Sequence, residues 1–271
     1  MKRRELPAFP HAGGERLERR TWLQRVGATG LSGLLSAGCA RRPQGDSPAP
    51  DAARDLRFPE KVSLRALNDR APCLETPWRL FRHDLTPNDA FYVRWHLAAI
   101  PTHVDLRTWR LRIMGHVERP LELAMDELRK MEDVSLVAVN QCSGNSRSFF
   151  APRVPGGQWL NGAMGNARWT GVRLRDLLDR AGLLAGAAQV SFNGLDEGPL
   201  PSVPDFIKTL DVEHARQGEV IVAYEMNGAP LPMLNGFPVR LVVPGWYATY
   251  WVKALSEITV LDVPFTGFWM V

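Results

Sequence analysis

Apolar positions along this chain fall into short runs of strand length more often than into helical stripes. Ala90–Trp95 (AFYVRW) combines aromatic and β-branched residues and predicts a strand, as does Leu111–His116. Val134–Val139 is a compact, mostly apolar run ending at Asn140, which has the length and composition of a buried strand. Val190–Asn193, Val220–Tyr224, Val239–Val243 and Trp251–Leu261 repeat the strand pattern, and Asn227-Gly228 is a two-residue hairpin signal. Helical spacing shows in two places. Leu123–Met131 can bring Leu123, Leu128 and Met131 to one face, and Val172–Ala181 is followed by Gly182, a residue suited to a left-handed C-cap. Strands dominate and do not alternate with helices, so the expected fold is α+β, a β-rich mixed domain.

Composition fits that picture. The 271 residues are 45% apolar and 23% charged, and 9 Trp with 11 Phe supply material for a sizeable core. Residues 40–61 form a linker, rich in Pro, Arg, Asp and Ala up to residue 57, and one main domain is expected over 62–271. The net charge of +4 is not spread evenly. Residues 1–38 hold seven Lys/Arg and three acids, leaving 26 of each sign in the remainder. That balance gives no support for nucleic-acid binding, which needs a clustered basic face. No G-x-G-x-x-G or G-x-x-x-x-G-K-[ST] loop occurs, so nucleotide binding has no support either.

The basic start has the order of an export signal, assigned to residues 1–39. Arg19-Arg20-Thr21-Trp22-Leu23 is a twin-arginine motif, and Val26 to Gly38 is an uncharged stretch of apolar and small residues. The stretch is too short to span a bilayer, so the expected destination is the periplasm. The competing reading is an amphipathic first helix of the mature fold. Ser36-Ala37-Gly38-Cys39 looks like a lipoprotein site, with a lipid anchor on Cys39. Leu35 sits one place too early for it, and ordinary cleavage near Ala40 competes.

Candidate chemistry centres on Cys142. The sequence Val134–Asn140 delivers it into a loop, Gln141-Cys142-Ser143-Gly144-Asn145-Ser146-Arg147, where Gly144 permits a tight backbone with inward-pointing amides. Three readings of the thiol are open on the residues alone: a plain buried cysteine, a nucleophile without an evident His partner, or a metal ligand. The six His are scattered, which argues against zinc, so a metal here would have to bring most of its own ligands. A Cys73–Cys142 disulfide is open in an oxidising compartment, but the loop argues for another role.

Gly157–Leu174 (GQWLNGAMGNARWTGVRL) resembles the molybdenum-pterin domain of the sulfite oxidase family. So do FYVRWHL at 91–97, AYEMNG at 223–228, NGFPVR at 235–240, VVPG at 242–245 and WVK at 251–253. The resemblance runs in consistent order over roughly residues 62–270, and the export signal with QCSGN and GWYATYW makes the chain most similar to bacterial exported sulfite dehydrogenases. It implies a molybdenum–molybdopterin cofactor with Cys142 as the protein's metal ligand. It implies substrate-pocket arginines at Arg94 and Arg147, whose guanidinium forks suit a small oxyanion such as sulfite. It implies cofactor contacts from His96, Asp196, Asn235, Arg240, Trp251 and Lys253, with Arg240 and Lys253 toward the pterin phosphate. The implied reaction is oxygen-atom transfer from sulfite to sulfate, with electrons passed singly to a c-type cytochrome. No Cys-x-x-Cys-His occurs for a covalent haem in this chain. Taken without the resemblance, Arg94 and Arg147 are surface or ion-paired arginines, Asp196 is a turn residue, and the tryptophans are core. In the family, the stretch Phe265–Val271 leads to a pocket tyrosine and an immunoglobulin-like dimerisation domain, so a truncated pocket is expected. Related activity on another oxyanion or S-oxide, or cofactor binding without turnover, are the alternative expectations.

Overall fold

A computed structural model of the chain describes Phe58 and residues 60–62, 64–69 and 71–270. The export segment with Arg19, Arg20 and Cys39, and the linker up to residue 57, lie outside the described residues. Along the chain the elements are β1 (Arg65–Asp69), β2 (Pro72–Glu75), β3 (Val93–Arg94), β4 (Leu111–Gly115) and β5 (Leu121–Leu123), followed by the short helix α1 (Met125–Arg129). Then come β6 (Asp133–Gln141), β7 (Met164–Arg173), α2 (Leu174–Ala181), β8 (Gln189–Gly194), β9 (Lys208–Asp211) and α3 (Val212–Ala215). The last strands are β10 (Ile221–Met226), β11 (Ala229–Pro230), β12 (Arg240–Val242) and β13 (Leu255–Leu261).

These strands make three sheets: β1-β2-β3; β11-β10-β7-β6 with β12 also on β10; and β5-β4-β13-β8-β9. All pairings are antiparallel except β13 with β4. The expected β-rich mixed fold is therefore the one observed, and among the described residues no helix is long and apolar enough to cross a membrane.

Local chemistry explains most of the elements. On α2, Leu174, Leu177, Leu178 and Ala181 recur at helical spacing and are buried. Gly182 ends the helix at φ +73°, its N–H bonded to Leu178 O and Asp179 O, a conformation that costs glycine little. Asn227 and Gly228, both at positive φ, close the β10–β11 hairpin.

Other expectations are corrected. Val134–Val139 is a strand but not a buried one. One face of β6 is left uncovered, so alternate residues face solvent, and Val137 and Val139 are about half exposed, at 50% and 48%. The longest strand, β7, is largely buried, though its glycines and polar residues hide it from a search for apolar runs. It lies between β6 and β10, and α1 and α2 pack against it. Gly171 is part of the reason they fit: a Cβ there would lie 2.1 Å from Val222 O. Val172 and Arg173 end β7 rather than begin α2, and Leu123 ends β5 rather than joining α1. Ala90–Trp95 pairs only at Val93–Arg94, and Trp251–Leu261 only from Leu255, leaving 251–254 irregular. Trp159, Trp169 and Trp251 are core, whereas Trp246 is exposed. The fold also takes in Glu60 and Lys61, which were placed in the linker. Glu60 accepts from Met233 N–H, and the Lys61 ammonium donates to Asn88 O and Phe91 O.

Candidate cofactor and substrate site

Cys142 follows directly on the end of β6, and its loop is fastened from several sides. Its N–H donates to Ala163 O at 2.9 Å, and its carbonyl accepts from Asn145 N–H at 3.0 Å. The Gly144 N–H points at its sulfur, 3.4 Å away, so an inward amide is present as the glycine suggested. Segment 159–163 zips onto this loop through Ser146 N–H to Leu160 O and Ser148 N–H to Trp159 O. Glu75, buried on β2, anchors that segment: one carboxylate oxygen accepts from Gly162 N–H and the other from Arg65, both at 2.7 Å.

Around the thiol lies a narrow cleft of about 60 Å³. Arg94, His96, Cys142, Asn235, Arg240 and Lys253, far apart in sequence, all line it. No carboxylate does. The Arg240 guanidinium is buried against the rings of Trp169 and Trp251, at 5.0 and 5.8 Å, and donates to Asn235 O and Trp251 O. Burial brings its pKa down to about 10. Lys253 sits 4.5 Å from the centre of the Trp95 ring. Burial, and then the neighbouring Arg240, pull its pKa down to about 7, against the attraction of Asp196. His96 is held neutral, its pKa near 2, by burial and by the cations Arg94, Lys253 and Lys208. Its ring stacks on Phe206 at 4.0 Å.

Among the residues lining the cleft, three buried nitrogens have no hydrogen-bond partner in the described residues: His96 Nδ1, Asn140 Nδ2 and Arg240 Nε. Such groups are costly unless something pairs with them. Cations without a carboxylate, unpaired nitrogens and a single thiol fit an anionic, hydrogen-bonding cofactor with one open metal position. No group of three or more His, Cys, Asp or Glu placed to hold a metal occurs among the described residues, so the metal's remaining ligands would come with that cofactor.

The other expected residues sit elsewhere. Asp196 is buried outside the lining, beside Lys253, and Trp251 backs Arg240 rather than facing the cleft. Asn235 lines the wall, but its amide is engaged, accepting from Lys61 and donating to Tyr92 O. Arg147 is not in the lining either. Its guanidinium packs on Gly144 and Gly156, where an added Cβ would stand 3.1 and 2.1 Å from it. Cys73 and Cys142 are both free thiols, so the disulfide is not formed. Tyr92, Asn140 and Thr249 also line the cleft, and the sequence assigns none of them a role in the site. Tyr92 O–H donates to Asn140 Oδ1 at 2.6 Å. An Asn closing an apolar strand two residues before the key cysteine was the available signal.

Fold and site together make a β-rich domain whose cleft, with one thiol, clustered basic side chains and no carboxylate, is suited to an anionic cofactor. The family model described as "Oxidoreductase molybdopterin binding domain" matches residues 96–269, and the chain belongs to this family. It is a molybdopterin oxidoreductase domain related to sulfite oxidase, and membership implies a molybdenum–molybdopterin cofactor. It is 37% identical to the mitochondrial sulfite oxidase of Mus musculus over 239 residues, 84% of this chain and 42% of that protein. It is 34% identical to the nitrate reductase [NAD(P)H] of Hordeum vulgare over 230 residues, 80% of this chain and 25% of that one. The chain thus spans less than half the length of these relatives. The solved structure of the sulfane dehydrogenase SoxCD from Paracoccus pantotrophus shares the fold, with a TM-score of 0.64 at 24% identity, over 85% of this chain and 56% of that one.

Proposed function

We propose that this chain is the molybdenum domain of an exported oxidoreductase that converts sulfite to sulfate and passes electrons singly to a c-type cytochrome in the periplasm, as bacterial sulfite dehydrogenases do. The observation that carries the proposal is the cleft in which Cys142 meets Arg94, Arg240 and Lys253 with no carboxylate among them. When bound, the molybdenum–pterin group supplies two-electron redox chemistry and oxygen-atom transfer. The chain's own residues bind and orient. Cys142 is the metal ligand, with the Gly144 N–H on its sulfur. Arg240 and Lys253 are the cations for the cofactor's phosphate, and Arg94 is the guanidinium for the substrate oxyanion. His96, held neutral, offers a hydrogen bond without adding a further charge. Arg19-Arg20 and the apolar stretch after it support export, and Cys39 supports a lipid anchor at the membrane surface.

Metal analysis and sulfite-dependent reduction of cytochrome c test this. Purified protein should carry molybdenum and reduce the cytochrome, and Cys142→Ser should lose both. Loaded protein that leaves cytochrome c oxidised in excess sulfite refutes the substrate. Arg19→Lys/Arg20→Lys should hold the protein in the cytoplasmic fraction, and unchanged export refutes the twin-arginine route. The likeness to the barley nitrate reductase favours a second reading, turnover of another oxyanion. Nitrate-dependent oxidation of a reduced viologen would establish it.

A further inference from the structure

Arg94 lines a second, larger groove as well as the Cys142 cleft. This groove is open and holds about 730 Å³, and its charged lining residues are Arg65, Arg94 and Arg153. No carboxylate lines it. The three guanidinium groups are not equally free. Arg65 is tied to Glu75 at 2.7 Å. Arg94 donates to Trp95 O and lies 3.6 Å from Cys73 Sγ. Arg153 is exposed and has no hydrogen bond or ion pair within the described residues. Arg147, the arginine the family resemblance offered as Arg94's partner, is folded against Gly144 and Gly156 and lines neither cavity. The walls between the arginines are partly apolar, formed by Leu67, Phe149 and Leu160. A groove of one charge sign with low-dielectric walls focuses field lines and raises the local concentration of counter-ions.

We propose that this groove is the entry vestibule for the anionic substrate and that Arg153 captures a small divalent oxyanion there and passes it to Arg94. The inference rests on the oxyanion-oxidising reading above and adds a positioning residue to it. Arg153 acts on arrival, so its effect falls on kcat/KM and depends on salt.

The test uses cofactor-loaded protein, sulfite as the varied substrate and saturating cytochrome c. Ionic strength is taken from about 10 mM to about 1 M, over which the Debye length shrinks from about 30 Å to about 3 Å. Arg153→Glu should lower kcat/KM roughly 10-fold at low salt, within the range expected for steering. At high salt the ratio to wild type should approach one, with kcat within twofold throughout. Arg153→Lys should restore most of the loss, and the inhibition constant for sulfate should rise in parallel with KM. An unchanged kcat/KM with an unchanged salt slope overturns the inference, as does a loss confined to kcat. Protein that does not oxidise sulfite at all defeats the functional reading instead. The vestibule is then judged by calorimetry of sulfate binding, which Arg153→Glu must weaken at low salt if the inference is right.

Discussion

Glu75→Ala measures what holds the Cys142 loop in place. The carboxylate is almost fully buried, with its side chain 4% exposed, and each oxygen has one partner at 2.7 Å. The partners differ in worth. Gly162 N–H is buried, and a charge-assisted hydrogen bond to it contributes roughly 1.5–3 kcal/mol, most of which returns as a penalty when the amide is left unpaired. Arg65 is 26% exposed, so its ion pair is screened and adds about 1 kcal/mol at most. The alanine variant should therefore lose about 2–4 kcal/mol. Glu75→Gln keeps an acceptor for Gly162 at nearly the same shape and should lose only about 1 kcal/mol. Urea unfolding followed by tryptophan fluorescence reads both values. At roughly 2–4 °C per kcal/mol for a domain of this size, the two variants should also separate clearly in melting temperature. Freeing Gly162 loosens its neighbour Ala163, whose carbonyl takes the Cys142 N–H, so alkylation of Cys142 in cofactor-free protein should speed up. An alanine variant within about 0.5 kcal/mol of wild type, or a glutamine variant as damaged as the alanine one, would show that the Gly162 bond does not carry the anchor.

Further outcomes follow from the same geometry. Gly171→Ala should cost about 1–3 kcal/mol, because the new methyl meets the backbone of β10 rather than a movable side chain; a neutral result in urea melts refutes the close approach. Tyr92→Phe should cost about 1–3 kcal/mol by leaving Asn140 Oδ1 buried without its donor, and wild-type stability in the variant refutes that accounting. Burial draws the Lys61 ammonium down to about 7 from 10.5, against the pull of Asp89 and Glu60. Below pH 7 both folded and unfolded chains hold that proton, and the burial penalty is carried in full. Between 7 and 10.5 only the unfolded chain still holds it, so the Lys61 contribution to stability rises with pH. Lys61→Met should flatten that rise, and stability curves of equal slope for the two proteins refute the linkage.

The β-rich class was legible because strand-length apolar runs and hairpin and helix-capping residues act over a few neighbours. Leu174–Ala181 with Gly182, and Asn227-Gly228, carry their geometry in their own side chains and backbone freedom. Which strand is buried is not a local property. Val134–Val139 reads as interior by composition yet lies at a sheet edge, while β7, broken by Gly165, Arg168 and Gly171, takes the place between two partners. Apolar side chains report a preference for burial, but what packs on each face of the sheet decides which of them are covered.

The site divides in the same way. The ordered motifs marked Cys142, Arg94, His96, Asn235, Arg240 and Lys253 before any folding was known, and the tertiary structure gathers all six around one cleft. A motif conveys residue type and order but not direction. Packing turned Arg147 into the Gly144–Gly156 backbone, spent the Asn235 amide on Lys61 and Tyr92, and set Trp251 behind Arg240. It also placed Arg153, with nothing in the motifs to mark it, in the groove that Arg94 lines and without a partner among the described residues. The sequence by itself determined the β-rich class, the family and the thiol with its cationic neighbours. Only the tertiary structure decided which of those charges face open space, because that depends on how segments distant in the chain bury one another's partners.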